Sequence, residues 1–283
     1  MKIAFLGGGN MATALIGGLV AKGADARSIS VIELSPAARE ALAARYPVHV
    51  STAPDAAMQG ADTLVLAVKP QDMKKALASI STGVRGKLVI SIAAGITLDA
   101  LSRWLGGHRK LVRCMPNTPA LIGAGITGLY ALPDVAPAER KTAETIMSAV
   151  GDAVWLAEER LLDPVTAVSG SGPAYVYWFI EQLAASGESL GIPRETALKL
   201  AMKTVLGAAQ LAAASERSPA ELREQVTSKG GTTEAALKVF DEEKLAERFA
   251  RAIAAASRRG EEMGKEQGKE QGKEPQGKEL GKS

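Results

Sequence analysis

Five residues at the amino terminus, Lys2-Ile3-Ala4-Phe5-Leu6, run straight into Gly7-Gly8-Gly9-Asn10-Met11-Ala12, and this junction constrains the chain more than any other stretch. An apolar run that stops at glycines and turns helical reads as a strand, a tight turn and a helix start. Gly7 can take backbone angles that a Cβ forbids, Gly9 lets a ligand approach the backbone, and Ala12 keeps the helix close to the sheet. The first N–H groups of such a helix have no internal partner, and with the positive end of the helix dipole they suit a pyrophosphate. The spacing Gly-x-Gly-x-x-Ala is common by itself. Here a short apolar strand precedes it, a long helix from Met11 to about Ala21 follows, and a second strand, Ile29-Ser30-Val31-Ile32, ends at the acidic Glu33. A glycine-rich turn without a ligand is the competing interpretation, and this context argues against it.

Residues 1 to about 155 continue the alternation of short apolar runs with helical stretches, the pattern of a parallel sheet covered on both faces. Strands are expected at Val48–Val50, Thr63–Val68, Leu88–Ile92 and Leu111–Met115, with two more over 125–131 and 153–156. Helices are expected near Pro36–Arg45, Met73–Ile80 and Pro137–Val150. Several strands deliver a small-residue or proline turn at the carboxyl end, where an open α/β sheet lines its ligand crevice. The expectation is an α/β Rossmann-type dinucleotide-binding domain over 1–157.

From Leu161 the strands disappear and alanine- and leucine-rich helical segments take over. Tyr175–Leu190 and Glu195–Ser215, separated by Gly191-Ile192-Pro193, are long enough to pack as an antiparallel pair. Shorter helices are expected at Pro219–Val226, Thr232–Phe240 and Leu245 to about Arg259. So many apolar positions on so few helices need a partner surface, which predicts an all-α dimerisation domain over 158–263 and a homodimer. From Gly264 to Ser283 the chain repeats Gly-Lys-Glu-Gln with one leucine and no aromatic residue. That composition cannot offset the entropy of ordering and is expected to be disordered.

A net charge of +3 from 34 basic and 31 acidic residues gives no field that would draw nucleic acid. The single cysteine, Cys114, allows no intrachain disulfide, and no apolar run reaches the ~18 residues of a membrane span. A cytoplasmic protein with no membrane partner is expected. Conventional catalytic sets are scarce. His49 and His108 read as structural or solvated, no Cys/His cluster has metal-ligand spacing, and Cys114 sits in an apolar strand as an inert thiol. A reaction without a strong protein nucleophile is favoured, and hydride transfer from a nicotinamide fits.

Two further glycine-rich runs stand out, Val168-Ser169-Gly170-Ser171-Gly172-Pro173-Ala174-Tyr175 and Ser228-Lys229-Gly230-Gly231-Thr232-Thr233. Two glycines followed by two threonines at a helix start offer backbone amides and hydroxyls that suit a small carboxylate, with ordinary helix capping as the alternative.

Taken in order, the motifs Gly7-x-Gly9-Asn10-Met11, Ala67-Val68-Lys69-Pro70, Ser91-Ile92-Ala93-Ala94-Gly95, Arg113-x-Met115-Pro116-Asn117-Thr118-Pro119, Val168–Tyr175 and Gly230-Gly231-Thr232-Thr233 resemble the pyrroline-5-carboxylate reductases. The similarity runs from Ile3 to about Met263. Lys229 stands where many members have proline, and Glu234 where isoleucine is frequent. The resemblance implies reduction of an imino-acid substrate to L-proline, the last step of proline biosynthesis, with NADPH or NADH as cofactor. It implies a dimer with interlocked helical domains, and rings of dimers are known in the family. It also implies an active site between one subunit's cofactor domain and helical residues supplied partly by its partner. The substrate carboxylate would rest on Ser228 and the amides of Gly231, Thr232 and Thr233, with the Thr233 hydroxyl bonding the ring nitrogen and Glu216 assisting there. Ala94, Gly95, Met115 and Asn117 would face the nicotinamide, and Val68-Lys69-Pro70 the adenosine side. Coenzyme choice is in conflict. Glu33 would bond a ribose 2′-hydroxyl and repel a 2′-phosphate, favouring NADH, whereas the family more often uses NADPH with a hydroxyl or basic residue here, and Ser35 and Arg39 are close in sequence.

The sequence is compatible with two other classes. A β-hydroxyacid dehydrogenase would need a catalytic lysine on the helical domain, for which Lys199 and Lys203 are available. A non-catalytic nucleotide sensor would bind without turnover and leaves the Gly-Gly-Thr-Thr run without a purpose.

Overall fold

The structure is a computed structural model and describes residues 1–80 and 83–269. Its first unit, Met1–Gly170 with the segment from Ala256, is built on a single sheet of eight strands. These are β1 (Ile3–Leu6), β2 (Ile29–Ile32), β3 (His49–Ser51), β4 (Thr63–Leu66), β5 (Leu88–Ser91), β6 (Leu111–Met115), β7 (Gly125–Ala131) and β8 (Gly151–Trp155), in the order β3-β2-β1-β4-β5-β6-β7-β8. Helices α1 (Asn10–Ala21), α2 (Pro36–Arg45), α3 (Ala56–Gln59), α4 (Pro70–Ala78), α5 (Leu98–Trp104) and α6 (Pro137–Met147) connect them, and α7 (Leu162–Val165) follows β8.

The strands are apolar almost throughout because both faces of the sheet are covered. Ile3 and Phe5 of β1 pack with Leu15 and Ile16 of α1 in one core cluster. Ala4 and Leu6, pointing the other way, pack with Leu66, Met73 and Leu77 in a second. The period-2 alternation thus divides the central strands between two cores.

Two features differ from the sequence reading. The sheet is not wholly parallel: β7 pairs antiparallel with β6, Cys114 opposite Leu129. The link from Met115 to Gly125 holds only a short 3₁₀ turn, Thr118–Ile122, and a parallel return needs a dozen or more residues. The chain therefore reverses, and α6 then carries a parallel crossover from β7 to β8. The unforeseen helices α3 and α5 are each started by a side chain, Asp55 accepting from Ala57 and Met58 N–H and Thr97 accepting from Ala100 N–H.

The second unit, Ser171–Ala255, is helical: α8 (Gly172–Ser189), α9 (Arg194–Ala214), α10 (Pro219–Gln225), α11 (Thr232–Glu242) and the first part of α12 (Leu245–Lys269). α8 and α9 form the expected pair, packed closely where Gly187 meets Ala197. The expected boundary at 157/158 lies upstream of this division. Arg113 of β6, 4% exposed, pairs with Glu159 at 3.1 Å and Asp163 at 3.2 Å, tying that segment to the sheet.

Residues 264–269, expected to be disordered, continue α12 as helix. Their support is tertiary: Met263 and Gly264 lie against Gly95, and Gly260 against Asp163. Packing on one face sustains a helix that intrinsic propensity would not. The remainder of the expected tail, 270–283, lies outside the described residues.

Candidate active site

The order β3-β2-β1-β4-β5-β6 places a topological switch point between β1 and β4, and the crevice of such a sheet opens at the carboxyl ends of those two strands. Gly7 closes β1 there with φ +98°, its N–H donating to Ile32 O at 2.8 Å. A Cβ at Gly7 would stand 2.7 Å from the Ala67 carbonyl oxygen, so the strand ends can approach this closely only with glycine. Gly9 is the N-cap of α1 and offers no side-chain acceptor to the helix amides. A Cβ there would meet nothing within 4 Å, so the space in front of the helix start is open. Asn10 is exposed at the first position of α1, and Met11 packs partly on the core. This cradle fits a pyrophosphate through free N–H groups and the helix dipole.

Glu33 turns back over the cradle. Its Oε2 accepts from Gly8 N–H and its Oε1 from Ser35 N–H, both at 2.7 Å. Ser35 Oγ accepts from Ala38 N–H at 3.4 Å as the cap of α2. Arg39 Nη1 donates to the Glu33 and Leu34 carbonyls at 2.9 and 2.8 Å.

The other expected cofactor residues follow along the same edge. Val68 packs partly on the second core cluster, Lys69 is the exposed N-cap of α4, and Pro70 is its first residue. Ala94 and Gly95 follow β5, with α12 lying over Gly95 through Met263. Met115 ends β6, and its Sδ-methyl carbon would be 2.7 Å from a Cβ at Gly170. Asn117 is committed locally, its Oδ1 accepting from Ile126 N–H at 3.0 Å. The segments ending β1, β2, β4, β5 and β6 thus come together as the motif order suggested. The ion network of Arg113, Glu159 and Asp163 behind them was not foreseen, nor was Glu159 Oε1 accepting from Leu98 N–H at 2.7 Å. Pairings across 46 and 50 residues leave no local pattern, and only the arginine of a motif could have hinted at them.

In the second unit, Ser228–Gly231 leads into α11, and a shallow groove of about 580 Å³ runs beside it, lined by Thr227, Gly230, Gly231, Glu234, Lys238 and Asp241 among others. Gly231 is the N-cap of α11 without a side-chain cap, so the amides of Thr232 and Thr233 begin the helix unpaired. Gly231 N–H, expected to serve a bound carboxylate, instead donates to Ser228 O at 3.0 Å. Gly230, at φ +71°, gives its N–H to Glu234 Oε2 at 2.7 Å. Glu216 is exposed in the turn between α9 and α10. Lys199 and Lys203 are exposed on α9, as solvated residues would be.

The histidines stand in structural pairings. His49 Nε2 meets Asp55 Oδ2 at 2.7 Å, and His108 Nε2 faces Lys87 O at 3.0 Å, where burial lowers its pKa. Burial pushes the Cys114 thiol far above its usual range. No helix among the described residues is long and apolar enough to cross a membrane.

A sheet of this order with an uncapped glycine cradle at its switch point defines a dinucleotide-binding protein. Residues 2–95 match the family described as NADP oxidoreductase coenzyme F420-dependent, and residues 159–263 match pyrroline-5-carboxylate reductase dimerisation. A pyrroline-5-carboxylate reductase of Pseudomonas aeruginosa is 48% identical over 84% of this chain and 88% of its own. The solved pyrroline-5-carboxylate reductase of Coxiella burnetii superposes with a TM-score of 0.88 at 41% identity, covering 93% of this chain and 98% of its own. That of Plasmodium falciparum, solved with NADP bound, gives 0.82 at 28% identity and the same coverage. The chain belongs to the pyrroline-5-carboxylate reductase family.

Proposed function

We propose that this protein reduces 1-pyrroline-5-carboxylate to L-proline with NAD(P)H, the last step of proline biosynthesis. The observation that carries this reading is the 48% identity, over 84% of the chain, to a protein of that activity by name. The bound cofactor supplies a hydride from the nicotinamide C4. The chain's own part is binding, alignment and exclusion of water. The amides from Asn10 at the start of α1 hold the pyrophosphate, Val68-Lys69-Pro70 flanks the adenosine side, and Ala94, Gly95, Met115 and Asn117 face the nicotinamide. Ser228 and the amides of Thr232 and Thr233 hold the substrate carboxylate. Gly231 joins them if its N–H is released from Ser228. The Thr233 hydroxyl bonds the ring nitrogen, with Glu216 assisting. A protonated cyclic imine is already electrophilic, so no strong general acid is needed, consistent with a chain poor in histidine. Alignment at ~3–3.5 Å between donor and imine carbon is then the main catalytic demand.

The same reading makes the protein a cytoplasmic homodimer, associated through the apolar positions that α8 and α9 leave exposed, Tyr177, Trp178, Leu206 and Leu211 among them. Purified protein mixed with 1-pyrroline-5-carboxylate and reduced coenzyme tests the activity. Coenzyme oxidation matched by proline formation is expected. Absence of both with either coenzyme would overturn the reading.

A further inference from the structure

The two oxygens of the Glu33 carboxylate are anchored by backbone, one on Gly8 N–H of the cradle turn and one on Ser35 N–H of the following loop, each at 2.7 Å. The side chain is also walled in. A Cβ at Gly8 would lie 3.3 Å from Glu33 Cβ and Cγ and from Val31 Cγ1, so these methylenes pack against the glycine backbone. A carboxylate has about four lone-pair directions, so roughly two remain for a ligand. Ribose hydroxyls can donate to them. A phosphate ester at neutral pH has acceptor oxygens and negative charge, so it would meet a fixed anion with no proton to offer.

The groups nearby that could compensate a phosphate are partly engaged in the loop itself. Ser35 gives its N–H to Glu33, and its Oγ accepts from Ala38 N–H. Arg39 does not pair with the Glu33 carboxylate. Its Nη1 is spent on the carbonyl oxygens of Glu33 and Leu34, bracing the backbone that presents the acid. Arg39 thus serves, through Nη1, the conformation that projects Glu33; its Nε and Nη2 and the Ser35 hydroxyl keep donor capacity, so it is the fixed charge of Glu33, anchored nearest the cradle, that weighs against a phosphate.

We infer that Glu33 is the residue that sets coenzyme choice, selecting the free ribose 2′-hydroxyl of NADH over the 2′-phosphate of NADPH. This rests on the proposed dinucleotide cradle at α1 but does not depend on which imine is reduced. The loop acts as one unit, with Gly8 and Ser35 fixing the acid, and Arg39 fixing the loop.

Equilibrium titration of the full-length protein with NADH and with NADPH, read by nucleotide fluorescence in the absence of substrate, tests this without reference to turnover. The wild type is expected to bind NADH at least about tenfold more tightly than NADPH, and the ratio should narrow as salt rises. Glu33→Gln removes the charge while keeping an oxygen for one of the two amides. It should tighten NADPH binding about tenfold and change NADH binding only a few-fold. Glu33→Ser should go further, with loss of NADH affinity as well. Equal or tighter NADPH binding by the wild type would overturn the inference, as would a ratio that Glu33→Gln leaves unchanged. If neither nucleotide binds, the cradle reading fails instead. If both discriminate as expected but no pyrroline-5-carboxylate is reduced, only the proposed reaction fails.

Discussion

Thr233 bears most of the proposed chemistry at the scale of single residues, because its amide and hydroxyl are assigned to two neighbouring groups of one small substrate, the carboxylate and the ring nitrogen. Thr233→Ala removes the hydroxyl and the γ-methyl group and leaves the backbone amide in place. It is expected to lower kcat/KM by about 10- to 100-fold while Tm stays nearly constant, a loss of transition-state contact without a loss of packing. Full activity in the variant would remove Thr233 from the mechanism. Cys114 makes the opposite case. Its thiol is buried and held in the neutral form, so a thiol reagent should label it only after denaturation. Rapid labelling of the native protein at neutral pH would contradict its placement. The placement of Gly7, Gly9 and Glu33 was legible in the sequence because it follows from backbone geometry and from position at strand ends. That Gly8 and Ser35 hold Glu33 was not legible, since a side chain returning to an amide 25 residues earlier depends on two strands lying side by side.

At the scale of elements, most strands and helices could be read from periodicity and stops, because β-branched runs and proline or glycine punctuation act locally. The reversal at β7 was harder to see. Its sequence is that of a buried strand in either direction, and only the short link before it carries the information. Helix α12 was underestimated because its glycines and repeats lower propensity, while the contact of Met263 and Gly264 with Gly95 raises stability by packing. Helix α1 shows the same competition at Gly18. Alanine is the better helix former by about 1 kcal/mol, yet a Cβ at Gly18 would collide with the backbone carbonyl of Ala149. Packing should win: Gly18→Ala is expected to destabilise the fold by roughly 1–3 kcal/mol in denaturant titrations. A stabilised variant would show that the contact between α1 and the turn before β8 is looser than described.

At the scale of the whole molecule, the helical unit leaves large apolar side chains uncovered. α9 buries only Ala197 and Ala201, and Trp178 of α8 is 58% exposed. A homodimer would cover such surface, and an aromatic side chain is a strong contributor where it is buried at an interface. Trp178→Asp is accordingly expected to shift the protein toward monomer in sedimentation velocity runs. A wild type that sediments as a monomer at all concentrations would refute the assembly. Alternating strands and helices, followed by helices alone, made the two-part organisation legible. The extent of the exposed apolar face was not, because burial inside a chain and burial against a second copy leave the same residue types in sequence.

Every role proposed for these residues depends on a hydride passing from a reduced nicotinamide to a cyclic imine on this chain. Its most direct measurement uses NADH or NADPH deuterated at the transferred C4 position, with 1-pyrroline-5-carboxylate as acceptor and mass spectrometry of the product. Proline carrying one deuterium at Cδ for each coenzyme oxidised is expected, whereas coenzyme oxidised without labelled proline, or the deuterium recovered in water, would refute hydride transfer to the imine.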